Sequence, residues 1–259
     1  ILDDNPCDYK PLSEQGIEII HIKKRNDFTW LKKLERIVKI EQPNAFFCHG
    51  FNGPIMIYLF KLLYNYKIPM ICTCHGVNLD KTKLGNKIIE RIWMSIYRKK
   101  CCKKIICVEK FTPQDLYNTH IEKEKIVTVY NGIEPSVKTN QLDLSAYQIN
   151  DPIIITASRL TRIKGINYLI DALATLKIRN VKFHYFCIGN GEEEQSLKLQ
   201  AQERGLTDKD IHFMGYQDNI PEWLNACDIF ALPSLEEFHS IAILEAMRAQ
   251  KAIVATNVG

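Results

Sequence analysis

Short apolar runs alternate with longer amphipathic runs along nearly the whole chain, and few folds accept that pattern. In the first half the alternation reads as strand 17–22, helix 28–40, strand 45–48, helix 54–66 and strand 69–73, then helix 84–98, strand 104–108, a short helix 112–119 and strand 126–130. Strands that are apolar throughout, each followed by a helix, predict a parallel sheet covered on both faces.

The pattern lapses after Asn131-Gly132, a turn signal, and the stretch from Pro135 to Asp151 is polar without a clear period. This divides the chain into a domain over 1–134, a linker over 135–151 and a second domain over 152–259. The alternation restarts with strand 152–157 and helix 164–176, where Ile166, Leu169, Ile170, Leu173 and Leu176 form one apolar stripe. Strand 181–188, helix 192–203, strand 211–213, helix 219–226, strand 229–232, helix 240–249 and strand 252–255 follow. The expected fold class is α/β, with two doubly wound Rossmann-like parallel-sheet domains facing across a cleft. Ligands of such sheets bind outside the carboxyl ends of the strands, so the loops after the strands carry the function.

Charge separates the halves as well. Residues 1–134 hold 22 Lys and Arg against 15 Asp and Glu, whereas the rest of the chain is net acidic and the whole is +4. Two bodies with different partners are expected. Nine cysteines occur without a C-x-x-C pair, many within apolar runs such as Ile71-Cys72-Thr73-Cys74, which predicts buried free thiols in a reducing cytoplasm rather than disulfides or a zinc site. The longest apolar run, 54–63, is too short to span a bilayer, and the acidic opening Ile1-Leu2-Asp3-Asp4 does not read as a secretory leader.

Four post-strand loops stand out. Ser158-Arg159-Leu160-Thr161-Arg162-Ile163-Lys164-Gly165 puts cations and a glycine where a strand hands over to a helix. That arrangement suits a phosphate, and it equally suits a solvated basic loop. Gly189-Asn190-Gly191 lets backbone approach a ligand closely, and is also a common strand-to-helix turn. Pro233-Ser234-Leu235-Glu236-Glu237-Phe238-His239-Ser240 leads into a helix containing Glu245. Ser240 reads as its N-cap, so Ile241 and Ala242 would offer free N–H groups to an anion. Glu245 lies in an apolar run; it either holds a pair of hydroxyls or faces solvent. In the first half, His75-Gly76 follows a strand directly.

The segments T-C-H-G, Y-N-G-I-E, S-R-L-T-R-I-K-G, I-G-N-G, F-M-G-Y, A-L-P-S-L-E-E-F-H-S-I-A-I-L-E-A-M and A-I-V-A-T-N-V-G resemble, in order over about residues 69–259, the retaining glycosyltransferase family 4 with its two-domain GT-B fold. The resemblance implies a hexosyltransferase moving a sugar from a nucleoside diphosphate sugar to an acceptor hydroxyl. The product would be a cell-surface polysaccharide or glycolipid, formed with retention and with neither metal nor other cofactor. It implies that Arg159 and Lys164 neutralise the donor diphosphate together with backbone near Gly189, Gly191, Ser240 and Ile241. Glu245 would hold the ribose, Glu237 the donor sugar, and His75 would approach that sugar from the other domain. The first domain would be the acceptor side and the second the nucleotide-sugar side.

Phe238-His239 departs from the family's small-then-aromatic pair, which leaves the choice of sugar open. Only Glu237, not Glu236, leaves seven residues before Glu245. The family's opening strand and glycine-rich loop would precede Ile1, and Gly259 resembles the first of a glycine pair, so an internal piece truncated at both ends is expected. A nucleotide-sugar epimerase, a phosphorylase and a non-catalytic nucleotide-sugar binder are the competing readings. Expected partners are the nucleotide sugar and a glycan or lipid-linked acceptor, and no nucleic acid. Arg91, Arg98, Lys99, Lys100, Lys103 and Lys104, with Trp93 and Tyr97 among them, suit a peripheral contact with anionic membrane at its cytoplasmic face, or simply a solvated helix end.

Overall fold

The computed structural model describes residues 18, 20, 22, 29–50, 52–74, 84–109, 120–147 and 149–258. The expected strand 17–22 falls largely, and helix 112–119 wholly, outside them. The chain divides into two compact units, Ile1–Val129 and Tyr130–Gly259.

In the first unit α1 (Thr29–Glu41), β1 (Phe46–Cys48), α2 (Asn52–Leu63), β2 (Met70–Cys74), α3 (Leu84–Arg98), β3 (Cys102–Cys107) and β4 (Ile126–Thr128) follow in order. The strands form a parallel sheet ordered β1-β2-β3-β4. Its core is built largely of thiols: Cys48, Cys72, Cys74, Cys102 and Cys107 pack with Met70 and Ile105 against Met94, Ile96 and Tyr97 of α3. The eight described cysteines form no disulfide with one another. Pro54 stands in the first turn of α2, where its missing N–H leaves no bond unmade. A second cluster joins α1 to α2 through Trp30, Leu31, Val38, Met56 and Phe60.

The basic end of α3 takes a different form from the one expected. Trp93 and Tyr97 are buried, and among the described residues the outward apolar ones are Ile88 and Ile92, beside exposed Arg91. Helical spacing explains it, because 88, 91, 92 and 95 share one face and 93, 94, 96 and 97 the other. Nearly buried Lys125 donates from Nζ to the carbonyls of Arg98 and Lys99, closing the helix with a cation at its negative end. Among the described residues no helix is long and apolar enough to cross a membrane.

In the second unit the elements are β5 (Ile153–Ala157), α4 (Ile166–Ile178), β6 (His184–Ile188), α5 (Glu194–Glu203), β7 (Ile211–Gly215), α6 (Ile220–Ala226), β8 (Ile229–Leu232), α7 (Ile241–Arg248) and β9 (Ala252–Ala255). All pair in parallel, in the order β7-β6-β5-β8-β9. Strand alternation sends Ile154, Tyr185 and Cys187 to one face, under α4 and α5. It sends Ile153, Ile155, Phe186 and Phe230 to the other, under α6 and α7. The sheet is therefore covered on both sides, as the apolar runs predict. Chain order reverses between β5 and β8, which makes their carboxyl ends the switch point where ligands of such sheets bind.

The segment 135–151, expected as a linker, belongs to the second unit. Leu142, Leu144, Tyr147 and Ile149 pack on the α6–α7 side of its core. Asn225 Nδ2 also donates to Thr139 Oγ1 across 2.7 Å. Four apolar residues at uneven spacing dock singly, so the strap has no period to read. The strand expected over 181–188 begins only at His184; Val181 is exposed.

Candidate active site

The loops leaving β5 and β8 are sewn together. Leu235 N–H donates to Ile163 O at 2.8 Å, and buried Thr156 Oγ1 donates to Ala231 O at 2.8 Å. Between β5 and α4 the chain makes a 3-10 turn, Arg162–Lys164, closed by Gly165 at φ 61°. A Cβ on Gly165 would lie 2.2 Å from Pro233 O, so only glycine lets the two loops approach this closely.

The result is an ion pair. Lys164 Nζ lies 2.5 Å from Glu237 Oε1, with 17% and 15% of the two side chains accessible. Fully buried Ser234 donates from Oγ to the same carboxylate oxygen at 2.9 Å, and Ser234 O accepts from Thr256 Oγ1. Glu237 is therefore held in one orientation by two donors. Arg159 is exposed, and its guanidinium has no partner among the described residues. Its neighbour Leu160 is fully buried and fixes the loop from which Arg159 projects.

Ser240 caps α7, its Oγ accepting from Ile243 N–H at 3.4 Å. Ile241, the first helical residue, is half exposed. One turn further on, Glu245 is partly buried, and burial lifts its carboxyl above the ordinary range while Arg248 pulls the other way. Its carboxylate has no hydrogen-bond partner among the described residues. A carboxylate placed so keeps its acceptor capacity for hydroxyls brought to it.

Gly189 and Gly191 make room for protein. Gly189 has φ 127°, and a Cβ there would lie 1.9 Å from Ser158 O; one on Gly191 would lie 2.3 Å from Leu160 O. Leu160 N–H donates to Asn190 O at 2.9 Å. The two glycines thus seat the Arg159 loop on the loop after β6. Of the following glutamates, Glu194 pairs with Lys198 at 2.6 Å, a local helix contact. His75 lies outside the described residues.

The second unit thus gathers Arg159, Lys164, Glu237, Ser240, Ile241 and Glu245 on the carboxyl side of β5 and β8. Ser234 was missed, although it stands three residues before Glu237, one short loop away. A cavity of about 680 Å³ lies elsewhere, lined by His184, His212, Asp208, Asp210 and Lys177 at the amino ends of β6 and β7. Among the described residues no three His, Cys, Asp or Glu side chains converge to hold a metal ion.

Two parallel α/β units of this kind define the GT-B fold class. Anabaena HepE, solved with UDP-glucose, superposes with a TM-score of 0.78 over 96% of this chain and 70% of its own, at 19% identity. A Rickettsia africae glycosyltransferase gives 0.70 over 96% and 68%, at 21% identity. The family model described as Glycosyltransferase Family 4 matches residues 13–137, and that described as Glycosyl transferases group 1 matches 141–259. The chain belongs to the glycosyltransferases of this family-4 type. An Escherichia coli UDP-Gal:alpha-D-GlcNAc-diphosphoundecaprenol alpha-1,3-galactosyltransferase is 25% identical over 73% of this chain and 51% of its own length. The amylovoran glycosyltransferase AmsK of Erwinia amylovora is 33% identical over 51% of this chain and 34% of its own. The chain spans about half to two thirds of the length of the first curated relatives it matches.

Proposed function

We propose that this protein transfers a hexose-type sugar, with retention, from a nucleoside diphosphate sugar to an acceptor hydroxyl in polysaccharide or glycolipid synthesis. The observation that carries the reading is the Lys164–Glu237 pair at the switch point of the second sheet, beside the amino end of α7. Lys164 and the exposed guanidinium of Arg159 are the cations for the diphosphate, and the first N–H groups of α7 meet the same anion. Charge on the departing phosphate is thereby stabilised by protein groups rather than by a metal, an effect on the order of 3 kcal/mol for each well-placed donor.

Glu237, held by Lys164 and Ser234, accepts from hydroxyls of the donor sugar. Glu245 accepts from the ribose hydroxyls, which replace the water its partial burial removes. Gly189 and Gly191 act one step back, by seating the loop that carries Arg159. The bound UDP-glucose of HepE and the UDP-galactose donor for which the E. coli relative is named favour a UDP-sugar and a lipid-linked or glycan acceptor. The outward face of α3, with Ile88, Ile92 and the surrounding cations, is assigned to an anionic membrane surface.

The test is a panel of UDP-, GDP- and ADP-sugars assayed for binding and slow donor hydrolysis. Saturable binding of one nucleotide class, with hydrolysis lost in Lys164→Ala, is the expected result. Binding without any hydrolysis or transfer would favour a non-catalytic sugar-nucleotide binder.

A further inference from the structure

We propose that Asn131 is a positioning residue for the phosphate end of α7, acting through the peptide that joins His239 to Ser240. The proposal rests on the reading of that helix end given above. Three contacts within the second unit attach the segment 130–134 to α7. Asn131 Nδ2 donates to His239 O at 2.9 Å. The Tyr130 ring lies 5.2 Å from the His239 ring, tilted by 37°. Arg248 Nη1 donates to Glu134 O at 3.2 Å, at the far end of the helix.

The first contact has a directional consequence. A trans peptide is planar, with its C=O and N–H pointing opposite ways. The carbonyl of His239 and the N–H of Ser240 belong to one such plane. A side chain that holds the carbonyl from one side therefore aims the N–H to the other. That N–H bonds to no described residue, and it precedes the free N–H groups of the first helical turn. The ring of His239 adds no hold through Nδ1, which is buried without a hydrogen-bond partner among the described residues. Asn131 is thus the polar tie through which the segment entering the second unit sets the direction of the first amide facing the anion.

The test compares UDP with uridine, since only the former presents phosphates. The chain, Asn131→Ala and Asn131→Asp are titrated with each by calorimetry, with GDP and ADP run alongside, and all three proteins are melted. Asp keeps the shape of Asn but has no N–H to donate at neutral pH. In both variants UDP affinity is expected to fall about five- to tenfold, as for loss of one hydrogen bond. Uridine affinity should stay within about twofold. The ratio of the two affinities is read on the same folded molecules, so a lowered melting temperature leaves it interpretable. An unchanged ratio in both variants, with normal UDP binding by the parent, would overturn the role of Asn131 and leave the site standing. Absence of UDP, GDP and ADP binding by the parent would overturn both.

Discussion

Lys164 and Glu237 meet 2.5 Å apart although 73 positions separate them. One rides the turn after β5 and the other the loop after β8, and Ser234 bonds the same carboxylate oxygen. The pair is mostly shielded from water, so removing either partner strands the other. Lys164→Ala is expected to lower donor hydrolysis or transfer by about 10²–10³-fold, in the range of other charge clamps. Glu237→Gln should depress turnover more than UDP affinity. Because the two act as a unit, the double variant should cost clearly less than the sum of the singles in a double-mutant cycle. Strictly additive effects would show that the contact is incidental.

Glu245 opposes stability to binding. Its carboxyl is raised above 4.5, chiefly by burial. A folded value above the unfolded one means that folding favours the protonated form. The associated stability is present below the unfolded value and is lost as pH rises through the folded one. Glu245→Gln should therefore raise the melting temperature at pH 7, with the gain shrinking toward pH 4. The same change should weaken uridine and UDP binding about tenfold, because charged acceptors are replaced by a neutral amide. Melting curves across pH and titration calorimetry read the two effects separately.

At the opposite end of the second sheet, His184 Nδ1 and His212 Nε2 are 3.5 Å apart with ring centroids at 5.8 Å. The ring nitrogens face each other, and burial followed by the His184 charge lowers the His212 value below 6.5, against weaker opposite pulls from Asp208 and Asp210. Here the folded form favours the neutral ring. Stability is present above pH 6.5 and falls as pH drops through the lower folded value. Urea melts from pH 8 to pH 5 should show that loss, and His212→Gln should flatten it. A parent curve that is level over this range would contradict the assignment.

The α3 face makes a separable claim about membranes. Ile88, Ile92 and the exposed cations at 91, 99, 100 and 103 lie on the outside of the first unit. Sedimentation with anionic vesicles at low salt should exceed that with neutral vesicles. Lys99→Glu with Lys100→Glu should weaken it by about 1 kcal/mol or more for each cation removed. Nucleotide affinity should not change. Equal sedimentation with both vesicle types would remove the membrane role.

The strands and most helices were legible because a parallel sheet buried on both faces must be apolar residue after residue. The runs at 153–157 and 229–232 say so without a partner. The loop residues Arg159, Lys164, Glu237, Ser240 and Glu245 could be picked out because their order and spacing repeat a family pattern. What escaped depends on distance in space. Nothing near Asn131 announces the carbonyl of His239, and nothing in Gly189-Asn190-Gly191 says that the backbone pressing on it is Ser158 to Leu160. Leu142, Leu144, Tyr147 and Ile149 could not be told from a linker, because docking by isolated side chains has no period. Trp93 and Tyr97 were drawn to the membrane by composition, whereas helical phase turns them inward.

The thiol-lined core of the first sheet makes the protein its own opening gauge. Burial pushes Cys107 and Cys187 up to about 12 and Cys227 to about 11, so at neutral pH none of the three offers a thiolate to an alkylating reagent. Labelling must wait for the surrounding layer to part. Cys48, Cys72, Cys74, Cys102 and Cys107 report on the first unit, and Cys187 and Cys227 on the second. A timed pulse of reagent, read peptide by peptide, would clock how often each half breathes and whether a nucleotide slows one half alone.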